Sequence, residues 1–237
     1  MTPDPDPLDA LAEEGETALE DGEYEVALDS FEAILVKDPE HWGASLRRAE
    51  CLHLLWRTQD ALKAVKALTP PADEEDDPER AELEGTILET MGRMEESDAL
   101  FAEAHRLEPE NFPLPTRLGP DDFKALLDKV LASLPPVIRE AVLEVPVLVE
   151  PKPTLEMAEH APVINPEILG LFVGTSVGHK MGGGSGYGDV VLLFQRNLER
   201  AGESRQEVSK EMKITLLHEY GHYLGFDEEE LEHLGLG

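Results

Sequence analysis

Thr215-Leu-Leu-His218-Glu219-Tyr-Gly-His222-Tyr-Leu-Gly225-Phe-Asp227-Glu228 is the stretch on which the reading of this chain turns. Val208, Met212, Leu216 and Tyr220 recur every four residues among charges, which predicts an amphipathic helix over Val208–Leu224. His218 and His222 are four residues apart, so on a helix their Cβ atoms lie about 5–6 Å apart on one face. Two imidazole nitrogens so placed can converge on one metal ion at about 2.0–2.1 Å each. Glu219 follows the first histidine. In an H-E-x-x-H arrangement this carboxylate does not bind the metal; it takes a proton from the water that the metal activates. Gly225 can adopt a positive φ, end the helix and turn the chain back toward the histidines. In the longer H-E-x-x-H-x-x-G-x-x-H pattern the third ligand stands ten residues after the first, and here that position is Glu228. A carboxylate oxygen is an acceptable zinc ligand, and two histidines with one carboxylate also suit iron or manganese. Asp227, Glu232 and His233 remain alternative third ligands, and the acidic run Asp227–Glu230 otherwise reads as a solvated helix start.

Upstream of this helix the pattern is mixed. Phe123–Leu134 and Pro136–Val142 read as helices, Val147–Pro151 as a strand, and Leu169–Val177 as a stretch holding another strand. Met181–Gly188 is glycine-rich and reads as a loop, with no Lys-Ser/Thr to make it a phosphate cradle. Asp189–Gln195 is a strong strand, either an edge that pairs with extended substrate or a buried structural strand. Residues 121–237 therefore form a small α+β domain. Tyr187 and Tyr223 are candidate donors to a developing oxyanion, with packing as the plainer role.

The first 111 residues are of another kind. Gly22-Glu-Tyr24 is followed by Ala27, Phe31, Ile34 and Pro39; Ala61, Val65 and Leu68 repeat part of this 34 residues on; Gly92-Arg-Met94, Phe101, Ala104 and Pro109 repeat it again. Small residues (Gly15, Ala49, Gly85, then Ala27 and Ala61) stand where paired helices must approach closely. Phe31 and Phe101 are two such periods plus two residues apart, and the acidic stretch Ala72–Pro78 accommodates the insertion. The copies resemble tetratricopeptide repeats over residues 8–111. That resemblance implies an all-α stack of helix–turn–helix units with a concave surface that holds peptides or partner proteins. Phe112–Pro120, with three prolines and a glycine, cannot continue a helix and reads as a linker over residues 112–120.

The 237 residues carry 51 acids against 20 bases, a formal charge of −31. A surface of that sign disfavours nucleic acid and anionic membranes as partners, since both require lysine and arginine. The first 111 residues hold 31 of the acids and 9 of the bases, so the charge is concentrated in the repeats. The longest purely apolar stretch, Val190–Phe194, is too short to cross a bilayer, and the start of the chain has neither a basic cluster nor an apolar run, so a soluble cytoplasmic protein is expected. Cys51 is the only cysteine, which excludes an internal disulfide and any multi-cysteine zinc site. Among Ala49, Leu52, Leu54 and Leu55 it is expected to be a buried small hydrophobe.

Residues 121–237 resemble the small bacterial zincin-like metallopeptidases, described as zinc-dependent proteases with a matrix-metalloprotease-like motif. The resemblance rests on Phe123–Pro135 with Val147–Pro151, on Ile168-Leu-Gly-Leu-Phe-Val-Gly174, on Gly186-Tyr-Gly188 before Val190–Phe194, and on His218–Glu228 with Leu231-Glu-His-Leu-Gly235. It implies a minimal zincin fold, one zinc ion and peptide-bond hydrolysis. Two departures stand out: the third ligand is a glutamate, and the nine residues after Glu228 hold no Met-turn of the metzincin type. The expected function is a zinc-dependent peptidase whose zinc sits on His218, His222 and Glu228, whose Glu219 activates water, and whose repeats bind substrate or a partner protein. The acidic charge would favour basic substrates through steering. The alternative is a repeat-based adaptor in which the metal site is structural or inactive.

Overall fold

Three tight turns of the same hand organise the N-terminal helices. In the computed structural model, which describes residues 7–68, 77–160, 164–175 and 189–233, helices pair as α1 (Pro7–Glu20) with α2 (Tyr24–Lys37), α3 (Trp42–Leu54) with α4 (Thr58–Ala67), and α5 (Pro78–Thr90) with α6 (Met94–Leu107). The turn inside each pair holds one left-handed residue: Gly22 and Gly92 at φ 75°, and Trp56 at φ 61°. Each turn closes with the same backbone bond, from Glu23, Arg57 and Arg93 N–H to the carbonyls of Ala18, Leu52 and Leu88 at 2.8, 2.8 and 2.9 Å. These are Schellman caps, for which glycine is the natural residue. A tryptophan in the same conformation costs about 1–2 kcal/mol of steric strain.

The paired helices interlock by volume. A Cβ on Gly15 would lie 2.8 Å from the Phe31 ring, and one on Gly85 would lie 3.0 Å from the Phe101 ring. Phenylalanine on the second helix thus requires glycine on the first. In the middle pair the equivalent positions are Ala49 and Val65, both fully buried, a larger residue matched with a smaller one. Ala27, Ile34, Ala61 and Ala104 are fully buried as well. Asp77, at the end of the acidic insertion, caps α5 by accepting the Arg80 N–H at 2.9 Å. The helices form one compact unit, Met1–Leu114, which also includes Thr154–Pro166 with the short helix α9 (Leu155–His160).

The second unit comprises Pro115–Pro153 and Glu167–Gly237. It contains α7 (Pro120–Ser133), α8 (Pro136–Glu144), β1 (Val147–Glu150), β2 (Gly170–Val173), β3 (Val190–Phe194), α10 (Gln195–Arg200), α11 (Arg205–Leu224) and α12 (Glu228–His233). The all-α repeats and this mixed unit together give an α+β chain. The strand order is β1-β3-β2, with β1 parallel to β3 (Val147 opposite Val191) and β2 antiparallel to it (Leu171 opposite Leu192). β3 is therefore central and Val191–Phe194 are buried. Of the two roles considered for Asp189–Gln195, the buried structural strand holds and the edge role is corrected: among the described residues β3 is flanked on both sides, and β1 and β2 are the outer strands. Val208, Met212, Leu216 and Tyr220 of α11 are all fully buried, packed in one core with Phe123, Leu126 and Val130 of α7. Tyr220 also donates its hydroxyl to the Val145 carbonyl at 2.7 Å.

The stretch ahead of α7 is tied into this unit. Thr116 N–H donates to the Glu199 carbonyl at 2.8 Å, Thr116 Oγ1 donates to the Gly202 carbonyl at 2.8 Å, and Leu118 N–H donates to Glu199 Oε1 at 3.0 Å. Among the described residues no helix is long and apolar enough to cross a membrane.

Candidate metal centre

α11 is capped at its start by Ser204, which accepts the Glu207 N–H, and it ends at Gly225. Gly225 sits at φ 100°, left-handed, and its N–H returns to the Gly221 and His222 carbonyls at 3.0 Å each. The glycine expected to turn the chain does so. Three residues later α12 begins, and it carries Glu228 back over the two histidines.

His218 Nε2 and His222 Nε2 are 2.9 Å apart, with their rings nearly perpendicular at 85°. Glu228 Oε1 lies 3.2 Å from His222 Nε2, and Glu228 Oε2 lies 3.7 Å from His218 Nε2. One ligand atom from each of the three residues falls within 4.8 Å of the others. A tetrahedral ion with bonds of about 2.0–2.1 Å separates its ligands by about 3.3 Å. The two imidazole nitrogens and the nearer Glu228 oxygen on His222 lie within a few tenths of an ångström of that value, so the donor set suits zinc in chemistry and comes close to its spacing. The other face of the His222 ring approaches the Phe226 carbonyl, Nδ1 to oxygen 3.3 Å. A proton on Nδ1 directed at that carbonyl leaves the Nε2 lone pair for a metal.

Residues 142–237 match the zincin-like metallopeptidase family. Residues 18–85 match the tetratricopeptide-repeat family. No curated protein matches the chain.

In the zincin-like region Glu219 is buried, 7% exposed, and its Oε2 accepts the Phe172 N–H of β2 at 2.6 Å. Burial pushes its carboxyl up to about 7; His218 and the Phe172 bond pull the other way, and Glu228 adds to the rise. A carboxyl poised there can take and return a proton near neutral pH. The close approach of β2 to α11 depends on Gly170, where a Cβ would lie 2.5 Å from Thr215 Cγ2 and 3.2 Å from Glu219 Cγ.

The other sequence candidates are placed elsewhere. Asp227 caps α12, its Oδ1 accepting the Glu230 N–H at 2.9 Å while Glu230 Oε2 accepts the Asp227 N–H at 3.1 Å. This capping box occupies Asp227. His233 Nδ1 lies 2.7 Å from the Glu229 carbonyl one turn back, and His233 is not in the converging group. Tyr223 is buried and donates its hydroxyl to Glu144 Oε2 at 2.8 Å, with its ring edge-on to Phe172, so it fills the packing role. Tyr187, the rest of the glycine-rich loop and the Glu232 side chain lie outside the described residues. Sequence reasoning missed Phe172 and Glu144: one acts through its backbone N–H and the other through a contact 79 positions away, and neither leaves a local signal.

Proposed function

We propose that the chain is a zinc-dependent peptidase, with His218, His222 and Glu228 as the metal ligands and Glu219 as the proton carrier. The working division is a repeat domain over residues 8–111, a linker over 112–120 and a zincin-like domain over 121–237. The observation that carries this reading is the convergence of two imidazoles and one carboxylate beside a buried glutamate. Three protein ligands are the number used by catalytic zinc sites, which keep one position for water or substrate. Zinc bound there supplies a Lewis acid that polarises a carbonyl and acidifies a water molecule. The protein's own residues do the rest. Phe172 N–H holds Glu219 Oε2, which leaves Glu219 Oε1 to accept the proton of the attacking water. The same oxygen then returns that proton to the departing amine nitrogen. As an outer strand, β2 offers an extended peptide the main-chain groups that Glu219 does not take. The repeat domain binds substrate or a protein partner, and its acidic surface favours basic segments.

The experiment is metal content by elemental analysis, together with hydrolysis of an unstructured basic protein. About one zinc per chain is expected in the wild type, lost in His222→Ala and in Glu228→Ala, while Glu219→Ala keeps zinc and loses hydrolysis. Zinc retained by Glu228→Ala would overturn the ligand set. A zinc-loaded wild type no more active than Glu219→Ala would favour the adaptor reading.

A further inference from the structure

Trp56 is the only non-glycine residue with a positive φ among the described residues, at a turn where the other two repeats have glycine. Its indole has a use that glycine cannot supply: Nε1–H donates to the main-chain carbonyl of Ile164 at 2.9 Å. One repeat earlier, at the start of α2, the Tyr24 hydroxyl accepts from Asn165 Nδ2 at 2.8 Å. Successive repeats thus hold successive residues of one segment, the first through its backbone and the second through its carboxamide. Ile164 and Pro166 are buried, and the segment belongs to the repeat unit. The chain on either side of it is tied down within the second unit. Lys152 Nζ lies 2.9 Å from Glu167 Oε1 and 2.6 Å from Asn197 Oδ1, and Arg200 pairs with Glu167 at 2.7 Å. Thr154–Pro166 is therefore an excursion between two fixed points, and the repeats grip it near its end.

We propose that Tyr24 and Trp56 form a chain-binding site of the repeat unit, and that Ile164-Asn165-Pro166 is its resident ligand, bound in cis. The site takes a buried aliphatic residue whose carbonyl faces an indole, followed by a carboxamide that donates to a phenol. Asparagine meets the second requirement as a neutral donor; aspartate could only accept from the Tyr24 hydroxyl, and it brings a charge unwelcome on an acidic unit. A tethered segment acts at an effective concentration of about millimolar, so an external peptide of the same pattern enters only when the resident one is released. This site belongs to the repeat unit and is independent of whether the metal centre hydrolyses peptides.

The test uses the full chain without added metal. Its two tryptophans, Trp42 and Trp56, give two indole N–H signals by NMR, and Trp42→Phe assigns them. In Ile164→Ser/Asn165→Ala the Trp56 indole proton is expected to exchange with solvent at least about tenfold faster than in wild type. A peptide of residues 162–168 at about millimolar concentration is expected to restore its shift and protection; the same peptide with aspartate for asparagine is not. Wild type is expected to ignore both peptides. An unchanged Trp56 signal in the variant would overturn the proposal, and so would a released site that the peptide fails to refill. Loss of helical circular dichroism in the double variant and in the milder Asn165→Ala would also overturn it, by making the segment part of the repeat core.

Discussion

Gly170 and Thr215 meet so closely that a methyl group on the glycine would lie 2.5 Å from Thr215 Cγ2, with the Leu192 carbonyl at 3.1 Å behind it. Neither neighbour can yield cheaply, because one is a buried β-branched side chain and the other is backbone. Gly170→Ala should therefore push β2 and α11 apart, at a cost of about 1–3 kcal/mol in a urea unfolding experiment. Glu219 Cγ, 3.2 Å from the same point, moves with them. The three proposed metal ligands, His218, His222 and Glu228, stand on α11 and α12. The variant is expected to keep its zinc and lose most of its hydrolysis; one that unfolds normally and hydrolyses at the wild-type rate would refute this role for the glycine.

Glu219→Gln separates proton transfer from metal binding. The amide has the shape of the carboxyl, and its oxygen can still accept the Phe172 N–H, so the fold and the zinc content should be unchanged. Hydrolysis is expected to fall by about a hundredfold to ten-thousandfold, the usual worth of a positioned acid–base group. Turnover within a few-fold of wild type would remove Glu219 from the proton path.

Asp227 and Glu228 are adjacent carboxylates with different assignments. Asp227 caps α12, so Asp227→Ala should loosen that helix by about 1 kcal/mol, weakening zinc binding through the position of Glu228 without abolishing it. Glu228→Ala should abolish it. Zinc titration of the two variants side by side checks the assignment, and reversed affinities would make Asp227 the ligand.

Much of this was legible in the chain. The four-residue recurrence of Val208, Met212, Leu216 and Tyr220 marked the buried face of α11, and Gly225 marked its end, because both signals are local. Gly22 and Gly92 were legible as recurring positions of the repeat, and the structure adds that each holds a left-handed turn. Trp56 did not, since nothing about an isolated tryptophan suggests a left-handed conformation; its reason is a hydrogen bond to residue 164, over a hundred positions away. The order of the strands was hidden for the same reason. An apolar run such as Val190–Phe194 suits an edge or a centre equally until its partners on both sides are known. α10 was missed because no glycine or proline separates Phe194 from Gln195, and the chain passes from strand to helix in one step.

Cys51 gives a reporter of global stability that is independent of the metal centre. Its thiol is fully buried, and burial, with the Glu50 charge adding to it, pushes its pKa up to about 12. In the unfolded chain the thiol ionises near its ordinary value of about 8.5. The folded state thus holds the proton more tightly, and the stability this contributes is complete below about pH 8.5 and is lost as pH rises toward 12. At pH 8 the native chain should resist iodoacetamide, and labelling should follow the opening of the repeat unit rather than the chemistry of the thiol. Cys51→Ala should remove the alkaline component while costing about 1 kcal/mol at neutral pH for the small cavity it leaves. The check is labelling at pH 8 as a function of urea. A rate that stays low until the helical signal melts is the expected result, and rapid modification in the absence of denaturant would show that the thiol is accessible in the native repeat unit.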